Sequence, residues 1–145
     1  MKCIILILAL MSLPTYGKSI QVMDQKIAFH NLFGIWPNMP IILVNQKTLT
    51  KLFDKTLGRT RYAYGQCRDT FIKINQTFWK TATRIQRREL IWHEWGHCYL
   101  GLGHPDDPWE YTIMGRVMNV TRPDGLNWDE LTTELYWRWL KGGRK

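Results

Sequence analysis

Hydrophobic and polar positions in this 145-residue chain follow two periods, and the change from one to the other marks its elements. Ile41-Ile42-Leu43-Val44 is an unbroken, largely β-branched run and predicts a buried strand. Residues 62–67 and 70–75 predict further strand material around a turn at Arg68-Asp69. Phe71, Lys73 and Asn75 alternate with Ile72 and Ile74, so one face is more polar, as on a sheet edge or surface. Residues 48–57 predict a short helix closed by Gly58, whereas residues 19–33 mix apolar and polar positions without a clear period. From Arg84 to Leu100 the period becomes helical. Thr83 is the N-cap, Gln86 completes a capping box, and Gly101 supplies the C-terminal stop. Trp92, Trp95 and Tyr99 form one stripe of this helix and read as core. Asn127 caps a last helix with Glu130 at its third position, and Leu131, Leu135 and Trp139 line one face.

The N-terminus has a different pattern. Lys2 is followed by the apolar run 4–11, Pro14, and small residues before a cut after Gly17. That layout predicts a secretory signal peptide over residues 1–17, with one domain over 18–145. The run is short for a membrane span, so no stable span is expected after signal removal. The expected location is secreted or periplasmic. The formal net charge of +8 is spread along the chain, apart from a small cluster at Arg84, Arg87 and Arg88 that reads as a solvated helix face. With a signal peptide in front, a nucleic-acid partner is not expected. Cys3 leaves with the signal, and Cys67 and Cys98 remain. On a helix Cys98 points about 100° away from His97, which favours a disulfide or a buried thiol over a metal-ligating thiolate.

The chemistry is concentrated in His93-Glu94-Trp95-Gly96-His97, followed by Gly101 and His104. Histidines four apart share a helix face and can reach one metal ion. Glu94 beside the first can hold and deprotonate a water at that ion, as zinc hydrolysis requires. Three neutral imidazoles leave the metal its charge and one position open. Zn2+ is therefore the expected cofactor, with His93, His97 and His104 as ligands and Glu94 as general base. His30 is given no role.

His93-Glu94-x-x-His97, Gly101-x-x-His104 and a following methionine turn resemble the metzincin clan of zinc endopeptidases. The resemblance spans about residues 70 to 119. It implies an α+β catalytic domain in which a small sheet packs on the active-site helix and the edge strand binds an extended peptide. A methionine turn lies under the ligands, and a C-terminal helix closes the domain. Met114 is the expected methionine, with Met118 the other candidate. Three residues separate His97 from Gly101 where the clan has two, so the loop before His104 must absorb one extra residue. This longer form resembles a group of small secreted bacterial proteins regarded as zinc peptidases, which carry an upstream Gly-x-Cys. Gly65-Gln66-Cys67 matches that feature and supports pairing Cys67 with Cys98.

The expected protein is thus a monomeric, secreted zinc endopeptidase acting on protein or peptide substrates. Two alternatives stay open. A zinc peptidase could draw its third ligand from Asp106, Asp107, Glu130 or Glu134. A non-catalytic interaction protein could use the histidines to hold structural zinc.

Overall fold

The computed structural model of the chain describes residues 22–54, 59–106, 112–115 and 127–143. The expected signal segment 1–17, Gly58, Asp107 and Met118 lie outside them.

The segment without a clear period contains helix α1 (Met23–Phe33), which ends at Gly34 in the left-handed conformation, φ 71°. Only Phe29 and Phe33 of this helix are buried, while Met23 and Ile27 are exposed. Its apolar residues therefore do not fall on one stripe, which is why its periodicity is weak.

Strand β1 (Ile41–Val44) forms as expected. Residues 48–54 do not form the expected helix, and residues 55–57 of that segment lie outside the described residues. One 3-10 turn, Gln46–Thr48, is capped by the Asn45 side chain, and the chain then extends as β2 (Lys51–Asp54). β2 pairs antiparallel with β3 (Arg59–Tyr62), Lys51 opposite Tyr62 and Asp54 opposite Arg59. A helix of that length is marginal alone, and a complementary strand close by offers the backbone a ladder instead.

Strands β4 (Gly65–Cys67) and β5 (Ile72–Asn75) complete a three-stranded sheet of order β1-β5-β4. β5 lies parallel to β1 and antiparallel to β4, so it is the central strand and not an edge. Ile72 and Ile74 are fully buried. Asn75, the polar end of β5, is also buried, and it caps the next helix. Its Oδ1 accepts from the amides of Thr77 (2.9 Å) and Phe78 (3.2 Å), starting α2 (Gln76–Thr81).

Helix α3 (Arg84–Leu100) has the expected bounds and capping box. Trp92 and Trp95 are buried as expected, with the Phe29 ring 5.2 Å and 5.1 Å from theirs. Full burial of such side chains contributes roughly 1.5–3 kcal/mol each. The arginine cluster is not a simple solvated face. Arg87 lies over Trp79 and Arg88 over Trp128, at 5.2 Å and 3.7 Å from the ring centres. Burial also lowers the pKa of Arg88. Helix α4 (Trp128–Arg138) is capped by Asn127 and buries Leu131 and Leu135, before a π-turn over Trp139–Gly143. The fold is mixed α and β, compatible with the α+β class.

Candidate metal centre

Two of the three histidines lie on the C-terminal half of α3. His93 and His97 stand one turn apart on the same face, with His93 buried and His97 half-buried. The helix continues through Cys98, Tyr99 and Leu100 and stops at Gly101, φ 65°. The carbonyl of Gly96 accepts from both the Gly101 and the Leu102 amides, which widens the final turn. That wide turn reverses the chain just ahead of His104. Exposed His104 therefore reaches the other two histidines.

The three Nε2 atoms form a near-equilateral triangle. The separations are 3.0 Å for His93–His97, 3.2 Å for His97–His104 and 3.2 Å for His93–His104. The other nitrogens of the first two rings are occupied. Nδ1 of His93 lies 2.7 Å from the Ile113 carbonyl, and Nδ1 of His97 lies 2.6 Å from the Leu102 carbonyl. A carbonyl only accepts, so each Nδ1 carries the proton and each Nε2 turns a lone pair toward the common centre. Burial also pushes the His93 pKa down to about 3, with His97 and then His104 adding to the effect against the Ile113 bond. Burial lowers His97 too. Both rings are thereby held neutral, the ligating form.

Among the described residues, these three histidines are the only group of three or more side chains placed to hold a metal ion. Asp106, Glu130 and Glu134 are described and stand outside the group.

Glu94 is buried, and burial pushes its carboxyl up to about 8, opposed by a hydrogen bond from the Cys67 amide. Cys67 is bridged to Cys98, with Cα atoms 5.6 Å apart. The bridge joins β4 to the helix that carries Glu94.

Met114 is fully buried in the turn at residues 112–115, which is closed by the Gly115 amide on the Thr112 carbonyl. Its sulfur lies against Gly96, between the two helical histidines; a Cβ at Gly96 would also stand 3.2 Å from Met114 Cε. The same turn presents the Ile113 carbonyl to His93. Sequence reasoning singled out the three histidines that the fold brings together, the buried methionine and the bridge. It assigned no role to Gly65, Gly96, or the carbonyls of Leu102 and Ile113. The glycines stand in the quoted Gly-x-Cys and His-Glu-x-Gly-His stretches, so their positions were visible although their contacts were not.

No protein-family model, curated protein or solved structure matches this chain.

Proposed function

We propose that this chain is a zinc-dependent endopeptidase of metzincin-like design, in which His93, His97 and His104 hold the ion and Glu94 is the general base. The observation that carries the reading is the triangle of three Nε2 atoms 3.0–3.2 Å apart, with Nδ1 of His93 and of His97 bound to main-chain carbonyls. Tetrahedral zinc with bonds of about 2.0–2.1 Å sets its nitrogen ligands about 3.4 Å apart, so the cluster fits with little rearrangement. A bound zinc would polarise the scissile carbonyl, lower the pKa of water, and draw the Glu94 carboxyl back toward the ionised form that a base needs.

The chain's own groups then divide the work. Glu94 takes the proton of the attacking water and returns it to the leaving amine. The edge of β4 is suited to align an extended substrate. The Asn75 amide donates to the Tyr64 carbonyl and the Arg68 amide to the Phe71 carbonyl, so the main-chain groups of residues 64, 66 and 68 face β5. The main-chain groups of Gly65 and the carbonyl of Cys67 therefore face away from the sheet, where a peptide can add as a further strand, while the Cys67 amide is already engaged by Glu94. The disulfide fits an oxidising, extracellular compartment. No helix among the described residues is long and apolar enough to cross a membrane.

A Glu94→Ala variant is expected to keep one zinc per chain and to lose at least about 10²-fold in kcat, read by metal analysis and cleavage of a quenched-fluorescence peptide library. Full activity in that variant would overturn the mechanism. A wild-type, zinc-loaded protein that cleaves nothing would overturn the peptidase reading itself.

A further inference from the structure

Gly65 has an unusual neighbour. A Cβ built on it would stand 2.8 Å from Cδ and 2.9 Å from Cγ of Glu94, with Oε1 inside contact distance as well. The glycine is not there for its backbone. Among the described glycines only Gly34 and Gly101 have positive φ, and Gly65 lies within a regular strand pair. What a side chain at residue 65 would occupy is the space of the Glu94 carboxyl.

Two further features act on the same group. The Cys67 amide points away from β5 and donates to the Glu94 carboxyl. Cys67 is also covalently joined to Cys98, one helical turn beyond Glu94. Two contacts from one edge strand thus converge on a buried carboxyl of a neighbouring helix, and a covalent bridge ties that strand to the same helix.

We propose that β4 is the positioning element for the general base. Gly65 gives the Glu94 side chain its room, the Cys67 amide fixes the direction of its carboxylate, and the Cys67–Cys98 bridge clamps that amide to α3. This deepens the peptidase reading and rests on it for the role of Glu94, while the contact between strand and carboxyl stands apart from it. Neither Gly65 nor the bridge touches the three histidines' nitrogens in this scheme, so each acts through Glu94 and leaves metal binding in place.

The experiment is a double-mutant cycle of Gly65→Ala and Glu94→Ala on the zinc-loaded protein, read by thermal melting, zinc content, and kcat and KM on a peptide that the wild type cleaves. Gly65→Ala is expected to lower Tm when Glu94 is present and to cost little in the Glu94→Ala background, because the clash partner is gone. It is also expected to keep one zinc per chain and to lose about 10²-fold in kcat at unchanged KM, the scale of a misplacement of about 1 Å. An equal Tm loss in both backgrounds, or wild-type kcat in Gly65→Ala, overturns the proposal. If Gly65→Ala alone does not fold, folding of the double variant supports the proposal, and failure of both overturns it. The paired Cys67→Ser, Cys98→Ser variant keeps the amide and removes the clamp. It is expected to retain zinc with reduced kcat, and wild-type kcat there overturns the role of the bridge. If the wild type cleaves no peptide, the peptidase reading fails, but the melting cycle still decides the contact.

Discussion

Gly96 shows how much one missing side chain can determine. It stands between His93 and His97 on a helix, where glycine costs about 1 kcal/mol relative to alanine. The cost is accepted because Met114, fully buried, places its sulfur against the helix there. A Gly96→Ala change would recover the propensity term. It would also force a Cβ to within 3.2 Å of Met114 Cε and closer still to the sulfur. Overpacking of this kind costs about 1–3 kcal/mol. Met114 has no solvent into which to retreat, so the steric term wins. Urea unfolding is expected to show a net loss of about 1 kcal/mol. Any metal affinity of the histidine cluster should fall with it, because a displaced turn moves the Ile113 carbonyl off His93.

Among the elements, α3 was the most legible and α1 and β2 the least. Thr83, Gln86 and Gly101 are local signals, each satisfied by hydrogen bonds within a few residues, so the sequence alone locates both helix ends. Thr83 accepts from the Gln86 amide at 3.2 Å, and the Gln86 side chain accepts from the Thr83 amide at 2.8 Å. Thr83→Ala is expected to cost about 1 kcal/mol in the same unfolding measurement. β2 exists because β3 lies opposite it, and α1 is held by Phe29 and Phe33 against Trp92 and Trp95 on α3 and Tyr136 and Trp139 near the C-terminus. Partners as distant as those of α1 leave no mark on a local window, and the pairing of β2 is set by a neighbouring strand outside its own residues. The polar end of β5 misled for a related reason. Asn75 reads as a solvent-facing residue, whereas its side chain is committed to the start of α2. Within the candidate site the three histidines were legible because their spacing is local. The carbonyls of Leu102 and Ile113 and the space at Gly65 depend on tertiary contact and were not.

At the level of the whole molecule, the metal-free protein carries two buried groups that pull stability in opposite directions with pH. His93 titrates near 3 in the folded state and near 6.5 unfolded. Between those values the unfolded chain holds the extra proton, so stability rises with pH. Glu94 titrates near 8 folded and near 4.5 unfolded. Between those values the folded protein holds the extra proton, so stability falls as pH rises. The two slopes offset each other between 4.5 and 6.5. Chelator-treated protein should therefore be most stable in that interval and weaken on both sides. A Glu94→Gln variant should lose the alkaline decline and keep the acid one. Urea titrations inside and on either side of the interval check this, and an unchanged alkaline decline in the variant would refute it.

The bonds from His93 and His97 to main-chain carbonyls also join the two flanks of the metal centre. Leu102 lies just past the helix and Ile113 lies in the methionine turn, and each hangs by its carbonyl from a ring that faces the ligand position. Those two rings are therefore tethers as well as donors. An alanine at either position removes a donor and also detaches a piece of chain, Leu102 being two residues from His104. Loss of a single histidine should thus spread to the rest of the triad through the backbone. By contrast, exchanging His104 removes a ring without cutting either tether.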